Sequence, residues 1–158
     1  MVENKYFEDY VVGEIARTED FVISEEDVAN YLDLVGDDHA VHRDKEFCLK
    51  QFGSHDLVVP GCLILAIADS YWANMVTPSF PFSPHYGHDK IRYIGRLTCG
   101  EIIYCEFKLI EKCAKNTIYG MLSFETYVKK KNGEPIIYEI DKVLVLYRNT
   151  KHTKYEQE

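Results

Sequence analysis

The sequence lacks a long hydrophobic run, an excess of positive charge and a paired-cysteine motif. No apolar stretch reaches the about 20 residues that a membrane-spanning helix needs. The charged start, MVENKYFEDY, has no apolar core of the kind found in signal peptides. The formal net charge of -8 argues against a nucleic-acid-binding face, which must be basic, and against binding to anionic membranes. We therefore expect a cytoplasmic protein with neither a nucleic-acid nor a membrane partner.

Cysteine is scarce and dispersed. The five cysteines are odd in number and form no CxxC pair, so no disulfide framework is indicated and reduced thiols are expected. Cys62, Cys99 and Cys105 lie in apolar or alternating segments, where a free thiol packs as a small hydrophobic side chain. A nucleophilic role is less favoured, because no cysteine stands beside a histidine in the sequence.

Length and composition fit one domain. A chain of 158 residues, 46% of them hydrophobic, can bury a single core, and no internal repeat or linker divides it. We expect a single domain over residues 1–150 and a polar C-terminal tail over residues 151–158.

The first half of the chain has helical signals. Ser24 and Asp27 resemble a capping box ahead of an apolar stripe with helical spacing, and Gly36 is a typical helix stop. Asp44 is a candidate N-cap for a short second helix. The stretch PGCLILAIADSYWANMV is apolar on nearly every side, which predicts a buried central helix with Pro60 at its first position.

The second half alternates as strands do. Four segments share this pattern: KIRYIGRL, EIIYCEFKLIEK, TIYGMLSFETYVKK and PIIYEIDKVLVLYR. Asn132-Gly133 between the last two is a strong hairpin signal, and the preceding proline-rich segment, TPSFPFSPHYGH, is predicted to be loop or extended chain. The fold class is α+β, with a curved antiparallel sheet wrapped around the apolar helix.

A cluster of acids and imidazoles follows the first helix, in LVGDDHAVHRD. Loops that leave a packed helix often carry functional side chains. A carboxylate such as Asp37 and an imidazole such as His42 can both reach one water molecule. Taken alone, however, the residues favour a structural reading, in which Asp37 caps the next segment or pairs with Arg43 and His42 is a satisfied structural histidine.

Two HxxH pairs raise the question of a metal. His39/His42 and His85/His88 both have aspartates nearby, and such donors suit zinc or iron. His85 and His88 fall in the predicted proline-rich loop, where no helix aligns them. We therefore predict no metal site and no cofactor.

The order of these segments resembles the MaoC-like dehydratases, hot-dog-fold proteins that include the (R)-specific enoyl-CoA hydratases. The family motif G-D-x-N-P-hydrophobic-H corresponds to residues 36–42, GDDHAVH, with His39 and Ala40 replacing its Asn and Pro. The family's His-Gly at the start of the central helix stands here as Pro60-Gly61. RYIGRLTCGE, residues 92–101, matches the segment that opens the sheet, so the resemblance covers nearly the whole chain.

The resemblance implies a hot-dog fold and reversible hydration of an α,β-unsaturated acyl thioester to the 3-hydroxyacyl thioester. It assigns Asp37 and His42 to water activation and proton transfer. We expect the thioester oxygen to bind the N–H groups of Gly61 and Cys62 at the helix N-terminus, although Gly61 also fits a simple need for close packing. His39 and Pro60 are expected neighbours of this site.

The implied substrate is an acyl-CoA or an acyl-carrier protein. Lys90, Arg92 and Arg96 are candidate contacts for its phosphates, and each is equally well explained as an exposed strand residue. Proteins of this family usually form homodimers, and the long strand over residues 101–112 is the expected dimer edge.

Two alternatives remain. A hot-dog acyl-CoA thioesterase would use a carboxylate on the central helix, where Asp69 is the only acid and lies more than one turn from Gly61. A non-catalytic acyl-CoA-binding subunit is compatible with the departures at Ala40 and Pro60.

Overall fold

The computed structural model describes residues 5–75 and 83–149. The predicted tail over residues 151–158 and residues 76–82 of the proline-rich segment lie outside them. In chain order the elements are a short 3-10 helix (Phe7–Asp9), β1 (Ile15–Arg17), β2 (Phe21–Val22), α1 (Glu25–Val35), α2 (Ala40–Arg43), α3 (Lys45–Phe52), α4 (Gly61–Met75), β3 (His85–Tyr93), β4 (Ile102–Ala114), β5 (Tyr119–Lys130) and β6 (Pro135–Leu146).

One antiparallel sheet contains all six strands. Its order is β1-β4-β5-β6-β3, with β2 also paired to β4. The turn between β5 and β6 is the predicted hairpin: Gly133 takes a φ of 90°, and the Asn132 side chain accepts a 2.9 Å hydrogen bond from the Glu134 N–H. Local turn chemistry therefore sets the register of the β5–β6 pair.

The predicted helix ends are confirmed for α1 and α3. Ser24 and Asp27 form a reciprocal capping box, and Gly36 closes α1 in the left-handed conformation with a φ of 71°. Asp44 caps α3 by accepting from the N–H groups of Glu46 and Phe47. Both helices flank the acid and imidazole cluster, so their caps fix where the cluster begins and ends.

The central helix α4 packs against the sheet as predicted. Leu63, Ile64 and Ala68 are buried, and each of the larger side chains contributes about 1.5–3 kcal/mol by leaving water. Trp72 meets Phe124 of β5 edge to face with ring centroids 5.5 Å apart. The α+β hot-dog fold, a sheet around a central helix, is thus confirmed.

Three details differ from the sequence predictions. α2 is an unpredicted single helical turn, so His42 lies on a helix rather than on a loop. β3 begins at His85, inside the segment predicted as loop or extended chain. The long strand β4 is not an edge, because β5 covers one side and β1 and β2 cover the other. Pairing between segments far apart in the sequence determines where strands begin and which strand lies at an edge. Local sequence patterns do not contain this information.

The five cysteines are all free thiols, as expected. Cys48, Cys99 and Cys105 are buried and Cys62 is exposed at the start of α4. Among the described helices, none has the length and apolar character required to cross a bilayer.

Candidate functional site

His42 is held by the chain segment that leads into α4. Its Nδ1 lies 2.7 Å from the carbonyl oxygen of Val58, and the Val58 N–H donates to the carbonyl of Val41 at 3.2 Å. A carbonyl can only accept, so Nδ1 carries the proton. In the neutral ring Nε2 is then the unprotonated nitrogen, which can take a proton from water.

Asp37 occupies the turn between α1 and α2. Its Oδ1 accepts a 2.9 Å hydrogen bond from the His39 N–H, an Asx-turn that shapes the loop. His39 in turn caps α2, with Nδ1 accepting from the Val41 N–H at 3.3 Å. The family's Asn is thus replaced by a side chain that organises the helix carrying His42.

Arg43 pairs with other carboxylates than that of Asp37. Its guanidinium lies 2.9 Å from Asp33 and 3.3 Å from Asp38, and its Nε donates to the backbone carbonyl of Asp37 at 3.0 Å. The structural alternative raised by the sequence, an Asp37–Arg43 ion pair, is therefore wrong. Arg43 instead fixes the loop backbone.

The N-terminus of α4 presents two amides to its surroundings. The Pro60 carbonyl accepts from Leu63 at 3.1 Å and from Ile64 at 3.2 Å. The N–H groups of Gly61 and Cys62 come before these and have no carbonyl within the helix to bind. Together with the helix dipole they favour a negative charge at this point.

Gly61 also permits a close contact. A Cβ at this position would lie 2.7 Å from two ring carbons of Tyr93, which is closer than van der Waals contact allows. The packing explanation for Gly61 therefore holds as well, because a residue without a side chain leaves room for the ring.

Two tyrosines near the start of α4 have raised pKa values. Burial raises the pKa of Tyr31, and the negative charges of Cys62 and Asp37 add to the effect. Burial, with a contribution from Cys62, also raises the pKa of Tyr93 to about 12, and the Tyr93 hydroxyl lies 3.5 Å from the Cys62 thiol. The approach of Tyr93 to Cys62 at the start of α4 was not predicted from the sequence.

A cavity of about 260 Å³ opens at this point. Its wall includes Val58, Gly61, Cys62, Tyr93 and Arg96. The cavity wall therefore includes both Val58, whose carbonyl holds His42, and the first two residues of α4. Most of the remaining lining is apolar, as in sites that take a hydrocarbon group.

Of the three candidate phosphate contacts, Arg96 is the one placed at this cavity. Its guanidinium stacks 4.7 Å from the Phe52 ring centroid. Arg92 is exposed and donates to the carbonyl of Ile91 at 2.8 Å, and Lys90 is exposed on β3. Neither of these two is among the described residues that line the cavity.

A second polar cluster lies farther along α4, between that helix and strands β3 and β6. It consists of Asp69, His85, His88, Glu139 and Asp141. We call it the buried polar cluster. His88 is central: its Nδ1 is 2.6 Å from Asp141 and 3.1 Å from Glu139, and its Nε2 is 3.6 Å from Asp69.

Burial dominates the electrostatics of this cluster. It raises the pKa of Glu139 to about 9, with added repulsion from Asp141 and Asp69. Burial likewise raises the pKa of Asp69. The neighbouring Asp141 carboxylate raises the pKa of His85, and Asp69 adds to this effect. The cluster thus concentrates more acid than its surroundings neutralise.

Sequence reasoning did not assemble this cluster, although one signal was available. Glu139 and Asp141 are two residues apart in an alternating strand, and Ile137 and Val143 continue the same alternation as buried apolar residues. The two acids therefore had to face the core.

Comparisons with solved structures give the same fold. A monoamine oxidase regulatory protein from Archaeoglobus fulgius has 22% sequence identity and a TM-score of 0.81, over 90% of this chain and 95% of that chain. The R-hydratase PhaJ1 from Pseudomonas aeruginosa has 21% identity and a TM-score of 0.76, over 91% and 87%. A MaoC-like dehydratase from Rhodospirillum rubrum has 15% identity and a TM-score of 0.80, over 92% and 99%.

The sequence itself identifies the family. A search of curated proteins finds no significant relative. The family model for the FAS1-like dehydratase domain region matches residues 10–139, most of the chain. With the hot-dog fold, this match confirms the resemblance to the MaoC-like dehydratases. The chain therefore belongs to the family of the FAS1-like, dehydratase domain region.

Proposed function

We propose that the protein reversibly hydrates an α,β-unsaturated acyl thioester to the 3-hydroxyacyl thioester. The observation that carries the proposal is the junction at Val58. There the carbonyl that holds His42 belongs to the wall of the cavity onto which the N-terminus of α4 opens.

The chemistry needs a base, an acid and a site for negative charge. His42, through Nε2, and Asp37 are the groups that orient water, remove its proton for attack at C3 and return a proton to C2. General acid-base catalysis of this kind contributes about 10²–10⁴-fold. The enolate that forms on the thioester oxygen is stabilised by the amides of Gly61 and Cys62, and one such donor contributes about 3–4 kcal/mol.

The cavity indicates the substrate class. Its apolar wall and volume of about 260 Å³ fit a short acyl group, since drug-sized ligands occupy about 300–1,000 Å³. Arg96 at its wall is suited to a phosphate of coenzyme A or of a carrier-protein pantetheine, because a guanidinium binds phosphate oxygens in a planar fork.

The named activities of related folds support the reaction class. PhaJ1 is described as an R-hydratase, a second similar structure is an (R)-hydratase from A. caviae, and a third is a 3R-hydroxyacyl-ACP dehydratase complex from Mycobacterium tuberculosis. We accordingly assign the R configuration to the hydroxyl at C3 of the product.

The protein is proposed to act as a homodimer through β3. This nine-residue strand pairs only with β6 among the described strands, and an open edge offers unpaired backbone groups to a second chain. Sedimentation of the protein should give twice the mass of the chain. A monomer at micromolar concentration would refute this arrangement.

Two alternative functions have weaker support. The thioesterase alternative relied on Asp69, whose carboxylate instead faces His88 at 3.6 Å. Asp69 also stands eight residues beyond Gly61, about 12 Å along the helix. The alternative of a non-catalytic binding subunit predicts affinity for acyl-CoA without turnover.

Crotonyl-CoA provides the direct test. We expect its enone absorbance to fall on addition of the protein and the product to be 3-hydroxybutyryl-CoA by mass spectrometry. Release of free coenzyme A, detected with a thiol reagent, would favour the thioesterase. Binding of the thioester with no change over a panel of short enoyl-CoA substrates would favour the binding subunit. Either result would overturn the proposal.

A further inference from the structure

We infer that Asp69, His85, His88 and Asp141 form a binding site for one divalent transition-metal ion. The four residues come from α4, β3 and β6 and belong to the buried polar cluster. The inference goes beyond the proposed hydration and does not depend on it.

The donor atoms are already close to metal-site spacing. Each of the four side chains offers one atom, and all four atoms lie within 4.8 Å of one another. In tetrahedral coordination, bonds of about 2.0–2.2 Å place the donor atoms about 3.3–3.6 Å apart. The 3.6 Å separations of His85 from Asp141 and of His88 from Asp69 fall in that range. The widest pair of donor atoms would have to approach by about 1.2 Å to complete the shell.

An independent observation concerns buried carboxylate oxygens that lack a well-aligned hydrogen bond. The Glu139 side chain is 0% exposed, and neither of its carboxylate oxygens makes a well-aligned hydrogen bond with a described residue, although Oε2 lies 3.1 Å from His88 Nδ1. Asp141 Oδ1, in a side chain only 2% exposed, also lacks a well-aligned hydrogen bond, although it lies 2.6 Å from His88 Nδ1. Buried carboxylate oxygens are costly without a donor or a cation.

The charges of the cluster call for a cation. Three carboxylates, from Asp69, Glu139 and Asp141, face two imidazoles. Within residues 5–75 and 83–149, no lysine or arginine forms an ion pair with these carboxylates. Removing one partner of a buried charge is strongly destabilising. A divalent ion would balance the charges of Asp69 and Asp141 while both imidazoles stay neutral.

Irregular pairing in β3 orients the two histidines toward the cluster. β3 has irregular register between His85 and Gly87 and again between His88 and Lys90, and such bulges re-aim side chains. As a result, both imidazoles reach the cluster, with ring centroids 4.5 Å apart. The sequence-based prediction of no metal site assumed that His85 and His88 lie in a loop. Both residues lie on strand β3 instead.

An outer layer orients the ligands. The Thr126 hydroxyl donates to Asp141 Oδ2 at 2.8 Å, so the other oxygen is directed toward the two imidazoles. His88 Nδ1 lies 3.1 Å from Glu139 and 2.6 Å from Asp141, so the ion would bind His88 through Nε2 while a carboxylate steadies the ring at Nδ1.

The types of donor atom and the exposure of the site limit which ion can bind. Two imidazole nitrogens with carboxylate oxygens suit Zn²⁺, Fe²⁺ or Mn²⁺ better than Mg²⁺ or Ca²⁺, which favour all-oxygen sites. The side chains of Asp69 and His85 are 32% and 36% exposed, whereas Asp141 is buried. The ion therefore reaches the site from the Asp69 side, where it can also keep a bound water molecule.

Zinc titration tests the inference. The protein, purified without a polyhistidine tag and stripped with a chelator, should bind one equivalent of Zn²⁺ and retain it through gel filtration. His85→Gln and Asp69→Asn should each lower the affinity by at least 100-fold. Glu139→Gln, a change outside the ligand set, should lower it by about 10- to 100-fold.

His55→Gln is the matched control, because it removes an exposed histidine elsewhere on the surface. This variant should bind zinc as the wild type does. Equal affinity in the wild type, His85→Gln and Asp69→Asn would overturn the inference, as would wild-type protein that binds no zinc.

A crystal of the wild-type protein soaked in Zn²⁺ keeps the test independent of variant folding. An anomalous peak bonded to His85, His88 and at least one of the two aspartates supports the site. Anomalous density confined to other residues contradicts it.

Discussion

The Nδ1 atom of His42 lies 2.7 Å from the carbonyl oxygen of Val58. This contact joins the helical turn after Asp37 to the segment that enters the central helix. It also determines which nitrogen of the imidazole carries the proton, and therefore which one is available to water. The proposed chemistry depends on that orientation.

Replacing His42 in two ways should separate its structural and chemical roles. His42→Asn keeps a side-chain N–H near the position of Nδ1 and can still donate to Val58, but has no counterpart of Nε2. We expect it to lose hydration activity by 10²-fold or more while the free energy of unfolding stays within about 0.5 kcal/mol.

His42→Ala removes the hydrogen bond as well. It should lose the same activity and also lower the free energy of unfolding by about 0.5–1.5 kcal/mol. Urea unfolding of both variants measures the difference. Equal stability losses in the two variants would contradict the role given to the Val58 contact.

Substitutions at the neighbouring residues Asp37 and Asp38 should have different effects on activity. Asp37→Asn should lower kcat/KM for crotonyl-CoA by about 10²–10⁴-fold, because the carboxylate is proposed to handle the proton of water. Asp38 is 90% exposed and contacts Arg43, so Asp38→Asn should keep activity within about threefold, since exposed ion pairs contribute little. If both variants were equally active, Asp37 would have no catalytic role.

Adding a methyl group at Gly61 should force the Tyr93 ring to move. The added Cβ would meet the ring at 2.7 Å, and we expect Gly61→Ala to cost about 1 kcal/mol, because the half-exposed ring can move. The double variant Gly61→Ala/Tyr93→Ala should show a smaller cost than the sum of the single changes. Strict additivity in the thermodynamic cycle would mean that the two residues do not interact.

The capping box of α1 should make a pH-dependent contribution to stability. Hydrogen bonds from the Ser24 side chain and backbone hold the pKa of Asp27 below its usual 3.8. A depressed folded-state pKa stabilises the protein above the unfolded pKa, and this stabilisation disappears as the pH falls through the folded pKa.

Wild type should therefore exceed Asp27→Asn in free energy of unfolding at pH 7, and the gap should close below about pH 4. Glu26→Gln removes a charge from the same helical turn without touching the box, so it reports the helix dipole alone. A gap between wild type and Asp27→Asn that persists unchanged into acid would show that the carboxylate is not the stabilising group.

The sequence determines the locally encoded parts of this structure. The ends of α1 and α3 and the hairpin at Asn132-Gly133 follow from side chains that bond their own backbone neighbours. Alternation of apolar residues reveals the long strands in the same way. These features were predictable because the groups that decide them are within a few residues of one another.

Other parts depend on contacts between distant residues. α2 is only one turn long, so it has no periodic pattern that would predict it. It is held by the hydrogen bond from the Val58 N–H to the Val41 carbonyl. The buried polar cluster gathers residues from positions 69, 85, 88, 139 and 141, and its assembly requires the β3–β6 register. The placement of Arg96 at the cavity, apart from Lys90 and Arg92, likewise follows from the end of β3.

Isotope tracing tests the proposed function most directly. The protein is given a short enoyl-CoA in water enriched in ¹⁸O, and the products are identified by mass spectrometry. Hydration places the heavy oxygen in the C3 hydroxyl of an intact thioester, and this is the result we expect. Heavy oxygen in the carboxylate of a released acid, or an unlabelled and unchanged substrate, would contradict the proposal.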